Sequence, residues 1–147
     1  MPELPEVEIV KRSLNKMISN AKITNVKVKN KNLRFRLTDK LNKKLRNEKI
    51  LKISRRSKYL IFHFNKKILL VHLGMTGKLF LMKKNNKKIF KTSFYYDLNI
   101  IPKHNHIYFI LNNGYILIYN DVRRFGFIKY YKSKKINEIV FLKRLGI

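Results

Sequence analysis

From Pro5 to about Asn20 the apolar residues Val7, Val10, Leu14 and Met17 recur at helical spacing, with Glu8, Lys11, Arg12 and Lys16 between them. That period predicts one amphipathic helix, and acids in its first turn with bases later suit the helix dipole. Beyond it the period shortens. Lys22–Lys29 alternates imperfectly through Ile23, Val26 and Val28, while Leu33–Leu37 alternates cleanly with Arg34 and Arg36, so both predict strands. Asp39–Asn47 is polar apart from Leu41 and Leu45, whose spacing predicts a short helix. Ile50–Ile53, Tyr59–Phe64 and Ile68–Leu73 read as successive strands parted by polar turns such as Asn65-Lys66-Lys67. Gly74 and Gly77 bracket a sharp loop before a strand at Lys78–Met82, and Lys83–Lys91 reads as a lysine- and asparagine-rich turn region. Ile107–Leu111 and Tyr115–Tyr119 flank Asn112-Asn113-Gly114, a hairpin signal. Both strands are nearly continuous in apolar residues, which places them in the middle of a sandwich. Phe127–Tyr131 is the last expected strand, and Ile136–Leu145 reads as a short terminal helix. Many short strands with turns between them predict a mainly β, α+β fold: a two-sheet β-sandwich flanked by an amino-terminal helix and a short terminal one.

The 147 residues suit one domain spanning residues 1–147, and their apolar share of 45% is ordinary for a globular chain. No run of 18 apolar residues predicts a membrane span, and an acidic amino terminus does not resemble a signal peptide. With no cysteine there is no disulfide framework and no thiolate metal site, and a reducing cytoplasm is the expected location. His104 and His106 would share a strand face, but with only His63 and His72 besides, zinc is not expected. The formal charge of +27 points to nucleic acid. Lysine, asparagine and isoleucine all have AT-rich codons, however, so genome composition is a second cause of the lysine excess to be weighed beside a partner. Arginine, scarcer than lysine, comes in pairs at Arg55-Arg56 and Arg123-Arg124, where a planar guanidinium serves nucleic-acid contacts better than an ammonium.

The first eight residues, Met1-Pro2-Glu3-Leu4-Pro5-Glu6-Val7-Glu8, hold the candidate chemistry. Removal of Met1 would leave Pro2 as a free secondary amine. An α-amine has a pKa near ~8, against ~10.4 for lysine, so far more of it is unprotonated at neutral pH. Beside the Glu3 carboxylate it has the makings of a nucleophile with its proton carrier, able to form a Schiff base with a sugar aldehyde carbon. The plainer reading is that proline and glutamate merely open a helix.

Four stretches carry a resemblance: Pro2-Glu3-Leu4-Pro5-Glu6-Val7-Glu8, Arg55-Arg56-Ser57-Lys58-Tyr59-Leu60, His72-Leu73-Gly74-Met75-Thr76-Gly77 and Asp121-Val122-Arg123-Arg124-Phe125-Gly126. In that order the chain resembles the amino-terminal half of bacterial formamidopyrimidine-DNA glycosylases, which excise oxidised purines and cleave the abasic site. The resemblance implies a two-sheet sandwich with the first helix alongside. It implies that Pro2 attacks C1′ and forms an iminium, that Glu3 shuttles protons, and that β,δ-elimination follows. Lys58 would contact phosphate near the lesion and support the lyase step. Met75, Arg123 and Phe125 would enter the duplex, with the flanking Asp121-Val122-Arg123-Arg124 serving the backbone and adjacent phosphates. His72 and His104 would approach phosphates; Glu6 would orient the site or serve only the helix start.

The implied partner is damaged double-stranded DNA, bound by a monomer in a bacterial, nucleoid-associated setting without a membrane. The family's helix–two-turn–helix and four-cysteine zinc finger have no counterpart in these residues, so no cofactor is expected. A separate polypeptide supplying that half is one arrangement; the lesion-closing loop belongs to it too. Two other readings stand beside this one. An endonuclease VIII-like enzyme would take oxidised pyrimidines with the same amine chemistry, although Leu4 and the intact Leu73-Gly74-Met75-Thr76-Gly77 loop favour the purine group. A basic DNA-binding remnant would keep the fold without turnover.

Overall fold

A computed structural model describes residues 4–34, 36–37, 40–93 and 100–132. In chain order the elements are α1 (Leu4–Ile18), β1 (Ile23–Val28), α2 (Leu41–Leu45), β2 (Lys52–Arg56), β3 (Tyr59–Phe64), β4 (Lys67–His72), β5 (Gly77–Lys83), β6 (Ile89–Lys91), a 3-10 turn at Pro102–His104, β7 (Asn105–Leu111), β8 (Tyr115–Asp121) and β9 (Phe127–Tyr131). They form two antiparallel sheets, ordered β1-β7-β8-β5-β6 and β2-β3-β4-β9. The apolar β7–β8 hairpin sits inside its sheet, with β1 on one side and β5 on the other. The expected sandwich is the fold.

Its core lies between the sheets, where Phe62, Phe64, Leu69 and Val71 meet Leu79, Phe109 and Leu117. A second cluster of Tyr59, Ile61, Ile68, Leu70 and Phe127 belongs to the opposite face of the β2-β3-β4-β9 sheet. The helix α1 buries Val7, Val10, Leu14 and Ile18; Met17, expected in this stripe, is only half-buried and packs at its margin. Its neighbour β2 is a sheet edge whose outward backbone groups need partners. The Asn15 amide supplies both, donating to the Ile53 carbonyl at 2.6 Å and accepting from the Ile53 N–H at 2.9 Å. No helix of the described residues is long and apolar enough to cross a membrane.

Four expectations need correction. Leu33–Leu37 is not a strand: Asn32 and Arg36 form an isolated bridge within the segment, and Leu33 and Leu37 turn into the core. Its alternation records burial, not pairing with a neighbouring strand; Phe35 lies outside the described residues. The strand expected at Ile50–Ile53 begins two residues later, because the Ile50 N–H and C=O are taken by Ala21 and Asn20. The Lys83–Lys91 turn region ends in β6, paired with Phe80–Met82. His104 shares no strand face with His106, because Pro102 opens a 3-10 turn that ends at His104. The expected terminal helix at Ile136–Leu145 lies outside the described residues.

Of the three chain crossings between the sheets, β1 to β2 runs through α2, and the other two, β4 to β5 and β8 to β9, occur at one end of the sandwich. Register forces this: His72 pairs with Phe127 in one sheet and Gly77 with Asp121 in the other. The loops Leu73–Thr76 and Val122–Gly126 are therefore bracketed by paired residues on both sides and must lie against each other.

Candidate nucleic-acid interface

Two glycines let the crossing loops touch. Gly74 has φ +61, a region that disfavours side chains, and a Cβ there would stand 2.6 Å from the Gly126 nitrogen. A Cβ at Gly126 would meet the Tyr119 hydroxyl at 2.0 Å and the His72 carbonyl at 2.6 Å.

Asp121, with 0% of its surface exposed, joins the loops. Its Oδ1 accepts the Thr76 hydroxyl at 2.6 Å and the Arg124 N–H at 3.0 Å, and its Oδ2 accepts the Tyr119 hydroxyl at 2.8 Å and the Gly126 N–H at 2.9 Å. The Thr76 hydroxyl in turn accepts the Arg123 N–H at 3.1 Å. A buried carboxylate with four donors is stabilised where a bare one would be costly. From behind, the His106 Nε2–H donates to the Asp121 carbonyl at 2.6 Å.

What these bonds hold out to solvent is apolar. Met75 is 49% exposed, Val122 48% and Phe125 46%. The Arg123 guanidinium lies 5.0 Å above the Phe125 ring, and its Nη1 lies 4.0 Å from the Met75 sulfur. Large apolar groups raised on a braced, arginine-flanked tip suit insertion into something flat and anionic at its edges.

Behind the tip, Tyr59, His72 and Phe127 line up across β3, β4 and β9. The His72 ring stacks on Phe127 at 5.4 Å and 9° between planes, and stands 4.8 Å from Tyr59. Only 8% of His72 is exposed, and its Nδ1 accepts the Gly74 N–H at 3.1 Å. Burial, then the charges of Arg34 and Lys58, hold its pKa below the usual 6.5. The ring is thus a neutral donor through Nε2, set in a cationic surround. Lys58 sits in the turn between β2 and β3, on this same end of the sheet.

On α1, Glu8 receives three bases: Arg55 Nε at 2.8 Å, Lys11 Nζ at 2.8 Å and Arg12 Nε at 2.9 Å. Lys11 first and Arg55 next hold its carboxyl at about 2, down from 4.5. The Glu8–Arg55 pair and Asn15 fix the helix to β2 at two points, with Lys58 just past the end of that strand.

Of the residues expected from sequence, Met75, Arg123 and Phe125 come together, with Arg124 in the same loop at φ +58. His72 and Lys58 stand behind them. Glu6 is half-buried on the first turn of α1. His104 is half-buried beside Asn105, which pairs with Asn120 next to Asp121. Pro2 and Glu3 lie outside the described residues. Among those described, no three His, Asp or Glu side chains converge as a metal-binding group. Sequence reasoning missed Asp121 and Thr76 as braces, Glu8 as a helix anchor and Arg34 as a charge facing His72. The one signal for Asp121 was an acid closing an apolar strand just before an arginine pair.

The model of the formamidopyrimidine-DNA glycosylase N-terminal domain matches residues 1–128. A formamidopyrimidine-DNA glycosylase of Rickettsia conorii is 44% identical over 148 residues, covering 100% of this chain and 49% of the relative. One of Bartonella tribocorum is 38% identical over 154 residues, covering 100% of this chain and 50% of the relative. The chain thus spans about half the length of the curated relatives it matches. Among solved structures, Lactococcus lactis Fpg in complex with abasic-site DNA is similar over 97% of this chain and 48% of that one, with TM-score 0.78 and 33% identity. The same Fpg in complex with DNA containing an oxidised pyrimidine matches equally, at TM-score 0.78 and 33% identity over 97% of this chain and 48% of that one.

Proposed function

Because the chain belongs to the formamidopyrimidine-DNA glycosylase family, we propose that it binds damaged duplex DNA and excises an oxidised base with its amino-terminal amine. The observation that carries this reading is the braced tip, where Met75, Arg123 and Phe125 are exposed together above an anion-friendly surround. An enzyme acting on a base inside a duplex must extrude it. Met75 and Phe125 fill the space left in the stack, and Arg123 hydrogen-bonds the orphaned partner base. Lys58 and the Nε2–H of His72 meet phosphates beside the lesion; His104 and Arg124 extend that contact.

The chemistry assigned to the amino terminus is covalent. With Met1 removed, the Pro2 nitrogen attacks C1′ and gives its proton to the Glu3 carboxylate, while the C1′–base bond breaks with its electron pair leaving on the base, which takes a proton from water. Glu3 returns its proton to the ring oxygen as the C1′–O4′ bond breaks to give the iminium, and it carries protons through two eliminations. These expel first the 3′ and then the 5′ phosphate. Glu6 orients this end of the helix. These 147 residues contain no cysteine, so the family's four-cysteine zinc finger has no ligands among them and enters no step. Leu4 and the Leu73–Gly77 loop favour oxidised purines, and the solved relative with an oxidised pyrimidine makes both lesion classes necessary in any assay.

The deciding experiment is borohydride trapping on abasic-site DNA, with protein well above its dissociation constant. The processed chain is expected to give a cross-link mapped by mass spectrometry to Pro2. A Met1-retaining form should give none, because amide resonance removes the nitrogen lone pair. Equal reactivity of the two forms would leave the chain a DNA-binding domain without catalysis.

A further inference from the structure

The guanidinium of Arg55 stands between the two elements that carry the proposed chemistry. Expected from sequence to serve nucleic acid, it donates within the protein instead: Nε to Glu8 Oε1 of α1 at 2.8 Å, and Nη1 to the Ser57 carbonyl at 3.0 Å. Arg56 pairs with Tyr59 across the sheet, so Ser57 and Lys58 alone make the turn between β2 and β3. Ser57 has φ +51, a conformation that two-residue hairpins usually give to glycine, asparagine or aspartate. A serine persists there only where its surroundings hold it, and the Arg55 bond takes the carbonyl of that very residue. This carbonyl belongs to the planar peptide that joins Ser57 to Lys58, so the bond sets the plane from which Lys58 departs. At the other end of the guanidinium Glu8 is held in turn. Lys11 and Arg12 reach its Oε2 at 2.8 and 2.9 Å, while Arg55 takes Oε1. Glu8 stands about one helical turn into α1, whose first residue, Leu4, follows Pro2 and Glu3 in the chain.

We propose that Arg55 is a positioning residue for strand cleavage: it ties the helix behind the amine to the turn that carries Lys58, and so fixes where that ammonium meets the phosphate that elimination expels. This role rests on the reading that Pro2 is the attacking amine. A planar fork with donors at fixed separation serves two acceptors at once, whereas a lysine ammonium is a compact point charge that cannot span them in the same geometry. Lys58 supplies the charge, and Arg55 supplies its place.

The test uses the whole 147-residue chain with Met1 removed, in saturating excess over an abasic-site duplex, so that single-turnover strand nicking is read apart from affinity. Arg55→Lys, which keeps the charge beside Glu8, and Arg55→Gln should both nick about ten- to a hundredfold more slowly than the parent, the loss that a misplaced group brings. Borohydride cross-linking to Pro2 should stay at or above the parent's level, because the amine still forms its iminium. The loss should also vanish in a Lys58→Ala background, since a residue acting through Lys58 costs nothing further once Lys58 is gone. Nicking by Arg55→Lys at the parent's rate would overturn the role. If that rate came with weaker duplex binding and a slope of log K against log salt lower by ~0.9, Arg55 would return to the phosphates. Losses that multiply with those of Lys58→Ala, or a cross-link that falls in step with nicking, would leave Arg55 a residue of the fold alone. A parent chain that neither nicks nor cross-links fails the catalytic reading, and the role of Arg55 with it. A parent that cross-links at Pro2 while both Arg55 variants nick at its rate fails the role alone.

Discussion

Asp121 tests whether the tip works as one body. Replacing it by asparagine keeps the shape but turns two of four accepted bonds toward an amide that can only donate. Buried donors left without acceptors cost roughly 1–3 kcal/mol, so the loops should separate before the sandwich unfolds. Trapping on duplex abasic DNA should then fall about tenfold or more, while trapping on single-stranded abasic DNA, which needs no wedge, should hardly change. Thr76→Ser, which keeps the hydroxyl, should behave as the parent and Thr76→Val as a milder Asp121→Asn. Equal losses on both substrates would reduce Asp121 to a structural residue. His72 and Glu8 give pH signatures of opposite protonation chemistry but the same sign. Each has a depressed pKa in the fold, so each contributes stability at neutral pH that is lost on acidification. For His72 the loss begins below its usual 6.5 and completes as pH falls through the depressed value. For Glu8 it runs from 4.5 down to about 2. Denaturant titrations from pH 8 to 2 should show His72→Gln flattening the upper window and Glu8→Gln the lower one. A curve unchanged by either substitution would contradict the corresponding assignment.

Among the elements, α1 is the one whose placement decides the proposed chemistry, because the reactive amine precedes it directly. Asn15→Ala removes both bonds to the Ile53 backbone and should cost about 2 kcal/mol at ~1 kcal/mol per bond. Hydrogen exchange at the Ile53 amide should rise ahead of the core; protection equal to the parent's would show that α1 is held by its apolar stripe alone. Such side-chain-to-edge bonds are invisible to periodicity. The strands β3 and β9 were legible to the residue, since each is an apolar run ended by a turn. The Leu33–Leu37 segment misled because a period of two reports which side chains face the core, not which strand the backbone pairs with. At three residues, β6 is too short to carry any period. The site divides the same way. That Met75 and Phe125 stand exposed on loops was legible from their motifs, whereas the Asp121–Thr76 bond spans 45 residues and depends on a register that no local pattern records.

For the whole molecule, charge should act in opposite directions on stability and on binding. With 35 lysines and arginines against 8 acids, the compact state carries self-repulsion that an extended chain relieves. Salt screens it, with a Debye length near ~30 Å at 0.01 M and ~10 Å at 0.1 M. The melting temperature should therefore rise between those salt concentrations. The same change should weaken duplex binding, because counterion release no longer favours the complex; six to ten phosphate contacts imply a loss of roughly 10³–10⁵ between 50 and 200 mM. Carboxylates paired at Glu8 and Glu48 work against the first effect, since screening also weakens those pairs, but the ion pairs of these two acids among the described residues are few beside a net +27. Duplex DNA at low salt should in consequence raise the melting temperature more than sodium chloride does, by binding the folded state more tightly than the unfolded one. The measurement is thermal unfolding across a salt series, with and without a lesion-free duplex. A melting temperature that falls with salt would mean that the ion pairs outweigh the repulsion. A duplex that gives no shift at low salt would mean that the lysine excess is solvated surface, and that genome composition rather than a partner accounts for it.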